Sequence, residues 1–277
     1  MKEVKDISIE DLKDLKKVFE NLGGFQARNL YIASEILKEM LNDNKITRIL
    51  TFTGNLVSTG LRGLFRDMIK NKMFDLVITT CGTLDHDIAK NFGNYYQGYF
   101  ELDDKELRNK GFHRLGNVLI PFENYGLAIE KFMRNLLEKI YQKNKELATY
   151  ELVWEIGKEL DENSICYWAE KNKIPIIVPG IFDGAVGYQI WLFTQKHRDF
   201  IINIAKDESL ISDIVWKSEK LGALIIGGGI SKHHALWHAQ FKNGLDYAIY
   251  ISTAIEEDGS LSGAKTREAI SWNKIKE

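Results

Sequence analysis

One recurring signal limits what this chain can fold into. A short apolar run, rich in β-branched residues, stops abruptly in small or polar residues and gives way to a helical pattern. It occurs five times. Arg48-Ile-Leu-Thr-Phe-Thr53 stops at Gly54-Asn55, and Leu76-Val-Ile-Thr-Thr80 stops at Cys81-Gly82. Pro175-Ile-Ile-Val178 stops at Gly180, Ala223-Leu-Ile-Ile226 at Gly227-Gly-Gly229, and Tyr247-Ala-Ile-Tyr-Ile251 at Ser252-Thr253. Continuous apolar runs mark strands buried on both faces, and strands alternating with helices mark parallel pairing through crossovers. The expected fold is α/β: a doubly wound, mostly parallel, Rossmann-like sheet with helices on both faces.

Helical periodicity covers 25–41, 61–70, 122–143, 150–160 and 164–171. An earlier helix starts at Ser8-Ile-Glu-Asp11, puts Leu12, Leu15, Val18 and Phe19 on one face, and ends within 20–24. With 277 residues, 44% of them hydrophobic, the chain can bury a substantial core. It has no linker rich in Pro, Gly or Ser, no repeat and no low-complexity stretch. A single domain over 1–277 is expected, with N-terminal helices to about residue 44 and an α/β core from about residue 45.

The net charge of −2 gives no global electrostatic case for nucleic acid or an anionic membrane. No apolar run approaches the ~20 residues needed to cross a bilayer, and the start, Met-Lys-Glu-Val-Lys-Asp, is charged. Cys81 and Cys166 are too few for a disulfide scaffold and suit a reducing compartment. A cytoplasmic protein is expected.

In open α/β sheets, ligands bind beyond the carboxyl ends of the strands, where small residues admit the backbone and helix N-termini face anions. Five such ends point to a nucleotide, although strand-to-helix turns favour glycine in any case. Gly227-Gly-Gly-Ile-Ser-Lys232 lacks the third glycine of the dinucleotide fingerprint, and there is no phosphate loop ending in Gly-Lys-Ser.

Lys232-His233-His234 opens the helix after the glycine triplet. His233, at the start of that helix, would point into the crevice and suits a general base. His234 and His238 share a helical face and could hold a metal. However, no thiol or carboxylate lies nearby in sequence, so polar residues bonded to their neighbours is the better reading, and no metal is expected. Asp183 either accepts hydrogen bonds from ribose hydroxyls or caps the next helix. Thr83-Leu-Asp-His-Asp87 carries the same ambiguity. Glu256-Glu-Asp-Gly-Ser260 is either a solvated acidic turn or a polyamine attractor. Lys274, two residues after Trp272 and six after Glu268, is either an exposed terminal charge or an amine whose pKa burial lowers enough for nucleophilic chemistry.

Several long stretches, in order, resemble deoxyhypusine synthase, in particular its archaeal branch. They are Phe52-Thr-Gly-Asn-Leu-Val-Ser-Thr-Gly-Leu-Arg62, Thr79-Thr-Cys-Gly-Thr-Leu-Asp-His-Asp87, Arg114-Leu-Gly-Asn-Val-Leu-Ile-Pro121 and Pro179-Gly-Ile-Phe-Asp-Gly184. Gly227-Gly-Gly-Ile-Ser-Lys-His-His234, Gly244-Leu-Asp-Tyr-Ala248, Asp258-Gly-Ser-Leu-Ser-Gly-Ala264 and Ile270-Ser-Trp-Asn-Lys274 follow. The resemblance runs from about Gly24 to the end.

It implies an NAD-dependent transferase. The aminobutyl group of spermidine would pass through an imine on Lys274 to one lysine of the hypusine-bearing translation initiation factor. His233 matches the family base, and Glu268 and Trp272 match the partners of the spermidine cation. Asn55, Ser58, Thr80, Gly82, Asp183, Gly228, Thr253 and Asp258 match NAD partners. A homotetramer with sites between subunits is also implied; Trp168, Trp191 and Trp237 would serve its interfaces or else lie in the core.

Eukaryotic members carry a glutamate at His86 and aspartates at Tyr188 and Leu261. His86 and Leu261 look usual for archaeal members. A site with fewer carboxylates would hold spermidine more weakly or accept another amine, with Asp85 and Asp87 supplying charge in compensation; Asp85 and His86 are the expected substrate contacts. Family members continue past the lysine segment through a strand of the NAD site, so with nothing after Glu277 lower stability or NAD affinity is expected. The alternatives are homospermidine-type transfer to putrescine and a non-catalytic nucleotide-binding remnant.

Overall fold

The computed structural model describes residues 2–3 and 25–277, so the helix expected from Ser8 lies outside the described residues. In chain order, β1 (Lys2–Glu3), α1 (Phe25–Asn42), β2 (Ile46–Phe52), α2 (Arg62–Lys70), β3 (Leu76–Ile78) and α3 (Cys81–Phe92) come first. An inserted region follows: β4 (Tyr96–Gln97), α4 (Asp104–Asn109), β5 (Phe112–Leu115), β6 (Val118–Pro121), α5 (Gly126–Tyr141), β7 (Glu146–Leu147), α6 (Thr149–Lys158) and α7 (Ile165–Asn172). The last part holds β8 (Ile176–Ile177), α8 (Ala185–Lys196), β9 (Ile201–Ile202), α9 (Ile204–Lys217), β10 (Lys220–Ile226), α10 (Gly229–Ala239), β11 (Tyr247–Ile251) and α11 (Thr266–Ile270).

The five expected strands form one parallel sheet in the order β11-β10-β2-β3-β8. Renumbered within the sheet, this is the doubly wound order 3-2-1-4-5, whose direction of winding reverses between β2 and β10. Phe52 pairs with Ile226 in that register, so the two turns flanking the switch point are Gly54-Asn55 and the glycine triplet. Successive strand residues go to opposite faces. Leu50, Phe52, Val77, Ile176 and Leu224 join one apolar cluster, while Ile49, Ile78, Ile177, Ala223 and Ile225 join the other. Both faces are therefore buried, which is why these strands read as unbroken apolar runs.

The helix expected over 122–143 is broken. A short 3-10 turn, Phe122–Asn124, ends at Tyr125 (φ −125°, ψ −90°), and α5 starts at Gly126. The small antiparallel sheet β1-β4-β6-β5 was not expected. Its β5–β6 hairpin turns on Gly116-Asn117, and Gly116 takes the positive φ (58°) that a tight hairpin needs. Among the described residues, no helix is long and apolar enough to cross a membrane.

Candidate active site

Parallel strands share a direction, so their carboxyl ends share an edge. Asn55 and Ser58 follow β2, Thr80 and Gly82 follow β3, Asp183 follows β8, Gly228 follows β10, and Thr253 and Asp258 follow β11. The turns interlock. The Gly54 N–H donates to Thr80 Oγ1 at 2.9 Å, and a Cβ on Gly54 would sit 2.4 Å from the Gly82 carbonyl carbon. Gly228 packs on Ser262, whose Oγ accepts from the Gly229 N–H at 3.1 Å. Gly229 has φ +62° and nothing within 4 Å of where a Cβ would stand. Space is thus open beside Gly229 at the switch point, while Ser262 already takes its N–H; a helix start at such a point suits the phosphates of a nucleotide.

The eight expected NAD positions are not equally available. Ser58 is 0% exposed, and its hydroxyl donates to the Asn55 carbonyl at 2.6 Å. Its reach to a ligand is blocked by its own turn. Asn55 is exposed, although its side-chain oxygen accepts from the Thr53 hydroxyl at 2.6 Å. Asp258 is exposed and accepts from the Ser260 N–H at 2.7 Å; bonding from Ser260 holds its carboxyl below the usual range. Asp183 was read as either a helix cap or a ribose partner. The N-cap of α8 is Gly184, without a side-chain cap bond, so Asp183 does not cap that helix; it is exposed.

The cap of α8 is Asp85. Its carboxylate accepts from the Ala185 N–H at 3.0 Å, the Val186 N–H at 2.8 Å and the Tyr125 hydroxyl at 2.9 Å, and the residue is 1% exposed. Burial pushes its carboxyl above the usual range against these bonds. His86 is buried beside Tyr95, with Nδ1 2.9 Å from the Tyr95 hydroxyl. Burial, and then the charge of Lys90, hold its pKa at about 4, so it is neutral. Asp87 lies 2.7 Å from Arg62 Nε and accepts from Ser164 Oγ and the Ile165 and Cys166 N–H groups at the start of α7. Asp85 and His86, expected as substrate contacts, and Asp87, expected to add charge, are thus each engaged inside this chain. Backbone donors and buried partners already claim those groups.

The other expected residues do come together. His233, Glu268, Trp272 and Lys274 line one cavity of about 280 Å³, with Lys232 and Trp237. Lys274 is held there by main-chain bonds to α11 and to the turn before β11. Its N–H donates to the Ala269 carbonyl at 3.0 Å, and its carbonyl accepts from the Leu245 N–H at 2.9 Å. Ile275 forms a parallel bridge with Leu245 and is only 9% exposed. Lys276 pairs with Asp246 at 2.6 Å. A Cβ on Gly244 (φ +90°) would lie 2.8 Å from the Lys274 carbonyl carbon, so glycine is required where the chain passes the lysine. Lys274 Nζ is 5.2 Å from the Trp272 ring centre and 5.8 Å from that of Trp237. The half-buried amine sits between two aromatic faces and is not a frayed terminal charge.

His233 stands at the cavity mouth, its ring 5.9 Å from that of Trp237 and nearly parallel to it. Partial desolvation, and then the Lys274 charge, hold its pKa below that of an ordinary histidine. It is neutral at neutral pH, as a base must be. The Glu268 carboxylate is exposed at the cavity and has no hydrogen-bond partner among the described residues. In the acidic turn, Glu256 is taken by Arg267, at 2.9 and 3.0 Å.

Sequence reasoning missed Lys232. It is 1% exposed, and its Nζ donates to the carbonyls of Leu261 at 2.7 Å and Ala264 at 2.8 Å. It also lies 4.1 Å from the centre of the Tyr250 ring. Burial lowers its pKa to about 8, with Glu268 pulling up and Lys265 down. This lysine latches the loop after β11 onto α10. Its partners are main-chain carbonyls, which leave no mark on side-chain identity. Trp191 and Trp237 are 45% and 46% exposed, whereas Trp168 packs against the core.

A family model described as deoxyhypusine synthase matches residues 14–277. A protein of Thermoplasma acidophilum named "Probable deoxyhypusine synthase" is 51% identical over 277 residues, spanning 99% of this chain and 89% of its own. One of the same name from Sulfurisphaera tokodaii is 53% identical over 281 residues, spanning 100% of this chain and 90% of its own. Among solved structures, a candidate deoxyhypusine synthase of Entamoeba histolytica has the same fold, with a TM-score of 0.63 at 24% identity over 98% of this chain and 95% of that one.

Proposed function

The chain belongs to the deoxyhypusine synthase family, and from that premise we propose that it transfers the aminobutyl group of spermidine to one lysine of the hypusine-bearing translation initiation factor, with NAD as cofactor. One observation carries this reading: a candidate nucleophile, base, carboxylate and aromatic face, Lys274, His233, Glu268 and Trp272, line a single cavity beside the glycine-lined switch point.

NAD, when bound, would supply the hydride acceptor for amine oxidation and the hydride donor for the closing reduction, leaving no net redox change. Asn55, Thr80, Gly82, Gly228 and Thr253 would hold it along the strand ends, with Asp183 and Asp258 toward hydroxyl groups. Glu268 and Trp272 hold the cationic end of the polyamine by charge and ring face. His233, neutral, accepts the proton from the reacting amine. The Lys274 amine, once it has given up its proton, attacks the imine carbon of oxidised spermidine, and 1,3-diaminopropane leaves as the amine. The butylamine group is then an imine on Lys274, from which the lysine of the factor displaces it.

Trp272 is 64% exposed and Trp237 46% in one chain. A homotetramer with sites between subunits would cover these faces and dry the cavity. We read residues 1–277 as one domain, since one core cluster draws on residues from Met40 to Ile249. The free, buried Cys81 and Cys166 are in keeping with a cytoplasmic location.

The test is mass spectrometry of the initiation factor after incubation with the protein, NAD and spermidine. The expected result is a gain of one aminobutyl group on one lysine. Transfer of labelled spermidine carbon to putrescine alone would overturn the proposal in favour of homospermidine formation, and no transfer to either would favour a binding remnant.

A further inference from the structure

Helices α9 and α10 bring together a set of donors that aminobutyl transfer does not use. His234 and His238 stand one turn apart on α10, and Glu208 reaches both from α9. Glu208 Oε1 is 3.0 Å from His234 Nε2, and Oε2 is 2.9 Å from His238 Nε2. The two imidazole rings are 4.9 Å apart. One donor atom from each of the three residues lies within 4.8 Å of the others. The His238 contact is a hydrogen bond. His234 Nε2 is different: it is buried and close to the carboxylate, yet out of line for a hydrogen bond, and no other partner satisfies it.

We propose that Glu208, His234 and His238 form a binding site for a zinc-type divalent transition-metal ion that ties α9 to α10. The donor chemistry selects that class. Two imidazole nitrogens with one carboxylate oxygen suit zinc and its neighbours, whereas calcium and magnesium take oxygen donors. Zinc bonds of roughly 2.0–2.2 Å in a tetrahedron set donors ~3.3 Å apart. The two contacts reach different Glu208 oxygens, and one donor from each residue lies within 4.8 Å of the others, so a modest rearrangement of the three side chains brings them to that spacing, and the ion would satisfy the orphaned His234 nitrogen. Access is one-sided: the Glu208 side chain is 46% exposed, the His234 and His238 side chains 15% and 7%. The nitrogens thus form the wall, the carboxylate faces solvent, and a water can complete the fourth position. The ion would brace the helix whose second turn carries His233. The sequence reading set a metal aside because no carboxylate lies near these histidines in the chain; Glu208 comes from the preceding helix, across β10.

The site stands apart from the aminobutyl reading, and its test reads metal and not turnover. The full chain, stripped with a chelator, is titrated with zinc chloride by calorimetry and with cobalt chloride by visible absorption. One ion per chain, a tetrahedral cobalt spectrum and a Tm raised by several degrees are expected. Glu208→Gln and His238→Ala should each weaken binding by more than roughly 100-fold, beyond what loss of a second-shell partner costs. His233→Ala should bind as the parent does. Glu208→Gln changes an exposed side chain of the same shape, so its metal-free melt should match that of the parent. Absence of uptake, a cobalt spectrum without tetrahedral character, or unchanged binding in Glu208→Gln would overturn the site.

Discussion

Two groups of ionisable residues follow strands of the same sheet, and their surroundings give them opposite roles. After β3, Asp85, His86 and Asp87 are buried and fully claimed: Asp85 by the first turn of α8, His86 by Tyr95, and Asp87 by Arg62 and the first turn of α7. After β10 and β11, His233, Glu268 and Lys274 face a cavity with valences to spare. Burial pushes Asp87 up, but Arg62 and the Cys166 N–H more than offset it, and its carboxyl is held below the usual range. A carboxylate at a strand end is therefore no sign of a site by itself. What matters is whether helix N-termini have already taken its lone pairs. The first group holds the starts of α7 and α8 against the helix that follows β3, and the second is left free for a ligand.

The largest expected effect separates chemistry from stability. Lys274→Arg keeps a cation between Trp272 and Trp237 but removes the amine that carries the transferred group. Transfer from labelled spermidine should fall by more than about 1,000-fold, while the Tm stays close to that of the parent. Retained transfer would show that Lys274 is not covalent and would erase the contrast between the two groups.

Asp87→Ala should do the reverse. It leaves the Arg62 guanidinium, 2% exposed, without its carboxylate and uncaps α7. Breaking a buried pair from one side costs about 3–5 kcal/mol, to be read as a lower urea midpoint. A variant that kept full stability but lost spermidine binding would move Asp87 to the substrate side.

Lys232→Met probes the edge between the groups, since Lys232 is buried like the first yet borders the cavity of the second. Loss of two charge-assisted bonds should free the loop at Leu261 and Ala264 and raise the KM for spermidine by about 10-fold. Exchanging a buried amine for an apolar chain of similar length keeps the stability within about 1 kcal/mol. The two proteins should diverge with pH. The folded pKa of Lys232, about 8, lies below its ordinary 10.5. Between those values the unfolded chain binds a proton that the native chain has shed, so the parent gains stability over Lys232→Met as pH rises through that window. A flat difference would mean that the carbonyls and the Tyr250 ring keep the ammonium fully charged.

The sheet was legible because burial on both faces writes itself into unbroken apolar runs such as Leu76–Ile78, which is the span of β3. The insert was not, because strands of two to four residues such as Tyr96–Gln97 and Phe112–Leu115 are too short for a period to show. The break before α5 was hidden because Tyr125 carries no breaker chemistry of its own. In the site, four of the residues named by resemblance, His233, Glu268, Trp272 and Lys274, share one cavity. The hold on Asp85 was hidden because its partners, the Ala185 and Val186 amides, lie about a hundred residues away. Main-chain partners mislead in the same way at Lys232, and a tertiary carboxylate does so at Glu208.

The smallest effect concerns the coupling of His233 to Lys274. Partial desolvation, and then the Lys274 charge, lower the His233 pKa. A base is active when neutral, so kcat/KM should stay level from neutral pH down past the ordinary histidine value near 6.5 and fall about tenfold per unit only below the lowered pKa. Lys274→Met removes the neighbouring charge, and the His233 resonance, followed by NMR, should then titrate at higher pH than in the parent. His86, held near 4 by burial and Lys90 in the closed group, should not respond to that change. If both histidines shifted together, the two groups would be one electrostatic unit, and the boundary drawn between scaffold and cavity would fail.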